Sequence, residues 1–485
     1  MKRIVILGAG PAGLALGLKL LRRSDLNIEV VIIEQNSRAG GMSSSFKYDG
    51  LYFDLGSHRL HPAASPELLD DIRELLGSDL LERPRNGRIR LLGNFIKYPL
   101  NPLDMVMRLP PSFLFGILRD MITRPFRSDK KPLNSFSDIL LHKIGKTICN
   151  SFYFPYARKL WGLPPEKIGA AQAQKRVSSS SIGKILKKVF RFLPGLKPMH
   201  NSHFLYPRKG FGQICESMAE EINRLGGQIL YDTAVHDIYR QDNKAYKVTT
   251  KSKKDPLFMD TRDMESISKA HMADMVFSTI PLNNLLEYIE PEPPLEVIEA
   301  GKDLRYRGMV LCYLILGTDR FSTYDAHYFP EEDVIFSRIS EPKNYYNDLE
   351  NKETTGLCIE IPCWVGDDTW NASIDDIRQK IIHDLEHSCL PVKSPVKDVF
   401  IRRLPHAYPV YDLDFEQRFN TLEKYLNNLR GMVSLGRQGL FIHDNIHHAF
   451  EMAYAASDCL KRNGDWDRVK WLEHRERFKS FTVED

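Results

Sequence analysis

Apolar positions open the chain in a run too short for a helix, Ile4-Val5-Ile6-Leu7. A glycine-rich turn, an apolar segment of helical length through Leu20 and a second β-branched run, Val30-Val31-Ile32-Ile33, follow it. Strand, helix and strand in that order predict one βαβ unit. Alternation on either side of Asp49-Gly50 predicts a hairpin that ends in the tight turn Asp54-Leu55-Gly56. Leu68, Leu69, Ile72, Leu75 and Leu76 recur at helical spacing between Ser65 and Gly77, so a capped surface helix is expected over Pro66 to Leu76. Arg88 to Pro99 reads as strand, Gly93-Asn94 turn and strand. A helix from Gln213 to Leu225 and strands at Gly226 to Tyr231 and Thr233 to Ile238 come next, then an exposed hairpin insertion over Lys244 to Lys269. Asp274 to Pro281 predicts a buried strand ending at a ligand-facing crevice. Tyr306 to Leu316 and Leu357 to Ile361 predict strands of a second sheet, with Phe321 to Glu353 as polar connection and edge. A helix over Phe415 to Leu429, a strand ending in Gly436-Arg437 and a helix beginning near Asn445 complete the pattern.

Three glycines in the first turn give this pattern a chemistry. Gly8, Gly10 and Gly13 stand at G-x-G-x-x-G spacing between strand and helix, with Glu34 at the end of the second strand about twenty residues on. Gly8 permits the turn, Gly10 lets backbone approach a pyrophosphate, and Gly13 lets the helix pack on the sheet. Free N–H groups at the helix start attract the anion, and Glu34 stands where a carboxylate takes ribose hydroxyls. A dinucleotide is the expected ligand.

The following segment, Arg38-Ala39-Gly40-Gly41-Met42-Ser43-Ser44-Ser45, decides which one. It resembles the R-x-G-G-x-x-x-S element of the flavin amine oxidase superfamily, whose members include monoamine oxidases, protoporphyrinogen oxidases, phytoene desaturases and UDP-galactopyranose mutases. The resemblance implies FAD, with Arg38, Gly40, Gly41 and Met42 beneath its pyrophosphate and flavin. Phe53-Asp54-Leu55-Gly56-Ser57-His58 is similar to the family's F-D-x-G-x-H motif, which implies that His58 and Arg59 lie near the flavin. Phe152 to Tyr156 followed by Lys159-Leu160-Trp161-Gly162-Leu163-Pro164-Pro165 resembles the mutase-like branch, where an aromatic helix lines the substrate cavity. Trp161, Arg88 and Arg90 are therefore candidate substrate residues. Tyr206 to Cys215 is similar to a P-x-G-G-x-x-x-L element, with Lys209 in place of the first glycine. In relatives the position of Val235 packs on adenine. Gly436-Arg437-Gln438-Gly439 resembles the C-terminal flavin motif, but His447 stands where an acid is expected and Ala453 where glycine is expected.

These motifs imply an α/β fold: a Rossmann-like FAD-binding domain assembled from discontinuous segments, with an inserted α+β substrate domain. The FAD-binding segments are 1–65, 204–290 and 406–470. A largely helical cap, 66–203, and a sheet, 291–405, form the substrate domain, and 471–485 form a C-terminal tail. The expected activity is that of an FAD-dependent oxidoreductase acting on a small molecule by moving hydride to flavin. The alternative is redox-neutral isomerisation of a nucleotide sugar by reduced flavin, as in UDP-galactopyranose mutase, and a third reading is a flavin-free binding protein.

Composition adds limits. A chain of 485 residues with 42% hydrophobic residues suits two interleaved domains. A formal charge of only +4 gives no argument for nucleic acid. Seven cysteines without C-x-x-C spacing argue against a metal centre and for a reducing compartment, so a cytoplasmic location is expected. Met1 runs directly into a strand with no presequence in view. Two basic amphipathic stretches, Leu103 to Lys131 and Ile182 to Leu193, are either solvated helical faces or a site of peripheral membrane contact.

Overall fold

The computed structural model describes residues 1–124, 133–176, 203–252, 269–346 and 351–483. The second basic stretch, Ile182 to Leu193, lies outside them.

At the centre is a five-stranded parallel sheet in the order Met432–Ser434, Met275–Ser278, Lys2–Leu7, Ile28–Ile33, Gln228–Leu230. Its strands come from three stretches far apart in sequence, and pairing is in register along Lys2–Leu7 on both sides. Ile4 and Ile6 enter one apolar core with the helices Pro11–Leu21, Gln213–Arg224 and Ile446–Asp458, while Val5 and Leu7 enter a second on the opposite face. Strands covered on both faces need apolar side chains at every position, which is why the β-branched runs do not alternate.

The second sheet has seven strands, in the order Val396–Pro409, Tyr306–Leu316, Thr355–Cys363, Arg338–Ser340, Ala326–Tyr328, Gly87–Leu91, Asn94–Tyr98. All eleven residues of Tyr306–Leu316 are buried. Val310, Cys312 and Leu314 pack with the helix Ile374–His387, and Met309, Leu311 and Tyr313 pack on the hairpin Ser45–Tyr48/Leu51–Asp54. That second contact seats the sheet on the hairpin that follows the first βαβ unit.

Several expectations are corrected. The hairpin over Arg88 to Pro99 forms, but its turn is Leu92-Gly93, at φ 52° and 74°, rather than Gly93-Asn94. Two residues at positive φ match the turn that joins strands of right-handed twist. Phe321 to Glu353 is not a polar connection. It contributes the strands Ala326–Tyr328 and Arg338–Ser340 and buries Phe329, Phe336 and Tyr345 completely. The residues set apart as a tail begin inside the helix Arg468–Lys479, whose Trp471 and Phe478 join the core of the parallel sheet, as does Phe481 beyond it. The exposed hairpin insertion expected over Lys244 to Lys269 is not what forms: Lys244–Ser252 is a strand of a four-stranded sheet with Ala245 and Val248 buried in the second core, and 253–268 lie outside the described residues. Ser65 Oγ accepts from Leu68 N–H at the start of Pro66–Leu76, as expected. Among the described residues no helix is long and apolar enough to cross a membrane.

Candidate functional site

The carboxyl ends of the parallel strands gather the glycine motifs. Gly8, at φ 98°, donates its N–H to the Ile33 carbonyl and turns the chain out of the first strand. A Cβ on Gly13 would lie 2.0 Å from the Gly8 carbonyl oxygen, so close helix packing forbids any side chain there. Gly10 differs in kind: a Cβ there would meet nothing within 4 Å. The open space beside it is bounded by Gly41, whose own Cβ would lie 3.4 Å from the Gly10 Cα. Gly40, at φ 111°, donates to the Ala9 carbonyl at 2.8 Å and holds the second glycine loop against the first. The helix Pro11–Leu21 begins on Gly10 with no side-chain cap, leaving its first-turn N–H groups for an anion. Gly436, at φ 78°, closes the same corner, since a Cβ there would be 2.8 Å from that of Ala12.

Glu34 is buried and hydrogen-bonded within the protein. Ala9 N–H donates to its Oε2 at 2.8 Å, and the Asn36 backbone and side-chain amides donate to Oε1 at 2.9 and 2.7 Å. The carboxylate therefore ties both glycine-bearing loops to the second strand. Arg38 donates to the Ser45 carbonyl, and Gln438 Nε2 reaches the Met42 sulfur at 3.5 Å and the His406 carbonyl at 2.7 Å. Arg437 donates to the Asp444 carbonyl and to the Ala407 carbonyl. Val235 lies on a strand paired with Thr250 and packs at the margin of the second core. An open cradle lined by backbone, an uncapped helix start and an acid at the strand end fit a dinucleotide. Replacing Glu34 by Ala is expected to weaken FAD binding at least about tenfold through lost charge-assisted ribose bonds. It also orphans the Ala9 and Asn36 donors, so equilibrium urea unfolding should show a further loss of roughly 1–3 kcal/mol.

The tight turn after the first hairpin faces the second sheet. Asp54 is buried and accepts from Ser45 Oγ at 2.5 Å, Tyr206 hydroxyl at 2.7 Å and Phe211 N–H at 2.9 Å. Burial pushes its carboxyl up to about 6. Ser57 N–H donates to Glu360 Oε1 at 2.8 Å, and Glu360 accepts a two-pronged bond from Arg338 at 2.8 and 2.9 Å. His58 follows, with its Nδ1 shielded from solvent. Burial, with the Arg338 and Arg437 guanidinium groups adding to it, lowers its pKa to about 3, so the ring is neutral at physiological pH. Arg59 is turned away from this point, donating to the Tyr345 hydroxyl at 3.0 Å and lying over the Phe204 ring.

The substrate candidates each have partners within the protein. Arg90 is held by Glu331 at 2.7 Å and Asp333 at 2.6 Å, and Arg88 stacks over Tyr324 at 3.9 Å. Trp161 ends the helix Phe154–Trp161, buried against Phe136 and His443. Arg338, Glu360 and Arg307 were not singled out in the sequence. A lone acid inside the apolar run Leu357 to Ile361 was the available signal for Glu360.

The sequence model of the family described as flavin containing amine oxidoreductase matches residues 11–411. Protoporphyrinogen oxidase 2, chloroplastic/mitochondrial, of Arabidopsis thaliana is 22% identical over 499 residues, covering 92% of each chain. A 1-hydroxycarotenoid 3,4-desaturase of Flavobacterium sp. (strain P99-3) is 22% identical over 278 residues, covering 52% of this chain and 54% of its own. Among solved structures, reduced UDP-galactopyranose mutase superposes with a TM-score of 0.75 at 20% identity, covering 94% of this chain and 93% of the other.

Proposed function

The chain belongs to the flavin containing amine oxidoreductase family and is an FAD-dependent oxidoreductase, and from that premise we propose that its substrate is a largely apolar organic molecule that loses hydride to the cofactor. Bound FAD supplies the hydride acceptor and passes the electrons on. Everything else falls to the protein, which binds, orients and excludes water.

What carries the reading is the commitment of the arginines. A nucleotide sugar would need paired guanidinium groups free to grip its diphosphate. Arg90 is neutralised by Glu331 and Asp333, Arg158 donates to Glu332 at 2.9 Å, and Arg59 is bound to Tyr345 and lies 3.6 Å from Asp325. Among the described residues Arg88 and Arg307 differ: Arg88 donates to the Gly87 carbonyl and stacks over Tyr324 without a carboxylate partner, and Arg307 Nε and Nη1 are buried without hydrogen-bond partners, beneath the Trp364 ring. One or two basic anchors fit an apolar substrate with an acidic group. Phe152, Tyr153 and Tyr156 stay partly exposed, Phe152 edge-on to Tyr153 and tilted against Tyr156, an aromatic wall for such a molecule. The His58 ring, held neutral by burial, offers a polar contact without adding charge.

The test is an anaerobic titration of the oxidised holoenzyme with an amine, a porphyrinogen and a polyene. The reading expects one of them to bleach the flavin absorption, and replacing Arg307 by Met to raise KM for an acidic substrate at least about tenfold, the worth of one charged hydrogen bond. Failure of every class to bleach the flavin would count against it.

A further inference from the structure

The helices Pro102–Arg108 and Pro111–Thr123 are apolar on two faces. Their inner faces, through Met105, Leu109, Phe113 and Ile117, pack on Ile89, Leu91 and Ile96 of the hairpin. Their outer faces carry a second stripe at helical spacing: Leu103, Val106 and Met107 on one helix, Phe115, Leu118 and Ile122 on the other. Met107 is 76% exposed, Phe115 70%, Ile122 62% and Leu103 61%. Six large apolar side chains exposed within twenty residues are not the scattered singles of an ordinary surface.

Charge around the stripe is sorted. Asp104 turns inward, accepting from Lys97 N–H and Arg108, and Asp120 is buried on Thr147 N–H. Arg108, Arg119 and Arg124 are exposed. The outward face therefore combines apolar side chains with cations and hides its acids. We propose that this pair of helices docks the protein on an anionic lipid surface, with the Met107, Phe115 and Ile122 side chains entering the headgroup layer and the arginines meeting the headgroups. Apolar side chains flanked by cations are the composition that binding at an anionic lipid interface selects. The same helices pack through Phe152 and Tyr328 toward the aromatic wall, so docking would bring the cap of the active site to the lipid boundary.

Cosedimentation of the holoenzyme with vesicles at low salt tests this. Binding to phosphatidylglycerol-containing vesicles should exceed binding to phosphatidylcholine alone at least about tenfold, as two or more surface cations require. The variant Met107→Asp/Phe115→Asp/Ile122→Asp should lose at least about tenfold of that binding with its flavin spectrum intact. If the triple variant does not retain flavin, Phe115→Trp decides: its added emission should be quenched by brominated lipid. No pelleting of the unaltered protein, equal binding to both vesicle types, binding unaffected by the triple variant, or an unquenched tryptophan would each overturn the proposal. So would a concentration-dependent dimer in solution that the triple variant abolishes, since a second copy would then be the occupant.

Discussion

Gly10→Val is expected to purify folded and colourless, with FAD affinity lowered at least about 100-fold, or about 2.7 kcal/mol. The reason lies in two glycines three residues apart. At Gly10 a Cβ meets no atom within 4 Å and the backbone, at φ −78° and ψ −179°, suits any residue, so a valine costs the fold little. The space it fills is the one the pyrophosphate needs, between Gly10 and Gly41. At Gly13 a Cβ stands 2.0 Å from a backbone oxygen, so Gly13→Ala should fail to fold with or without cofactor. Absorption of the purified proteins, with urea unfolding of the colourless one against flavin-stripped wild type, separates the two effects. Stoichiometric flavin in Gly10→Val would remove the cradle from the account.

Arg338→Met should destabilise the protein by about 3–5 kcal/mol, because it leaves Glu360 ionised and buried without its partner. Glu360 joins the two halves of the site, taking Arg338 on its own sheet and the Ser57 N–H of the turn that carries His58. In the double variant Arg338→Met/Glu360→Gln the amide oxygen still accepts from Ser57 and no charge is stranded. The loss should then shrink to under about 2 kcal/mol, since replacing both partners of a buried ion pair is often close to neutral. A single variant no less stable than the double would show that the pair is solvated and that Glu360 is not left stranded without Arg338. Removing Arg338 also takes away one of the two positive groups that help keep His58 neutral.

How much of this could be read in the sequence depended on how local the physics was. The nucleotide cradle was legible because each glycine answers a constraint set within a few residues: a positive φ at Gly8, a helix crossing at Gly13, a loop approach at Gly41. The parallel strands were legible because both faces are covered and their buried runs Ile4 to Leu7 and Val30 to Ile33 are apolar throughout. The strands Ala326–Tyr328 and Arg338–Ser340 were not, since three residues give no period and their stability comes from partners far along the chain. The fate of the arginines was equally hidden. Arg88 and Arg90 look available in their hairpin, but Glu331 and Asp333 lie about 240 residues away and only the fold brings them to Arg90. Glu34 was read as a ribose ligand, and its bonds to Ala9 and Asn36 add a structural duty that no motif announces.

The central claim, that this site oxidises its substrate rather than rearranging one, is tested most directly by counting electrons. Holoenzyme reduced with dithionite under anaerobic conditions is mixed with UDP-sugars, and oxidised holoenzyme is mixed in parallel with the substrate that bleaches its flavin. The account predicts that reduced enzyme leaves the UDP-sugars unchanged, while oxidised enzyme turns over only as fast as an acceptor removes electrons, one pair for each substrate molecule. Conversion of a UDP-sugar by the reduced enzyme with no net electron consumption would contradict it.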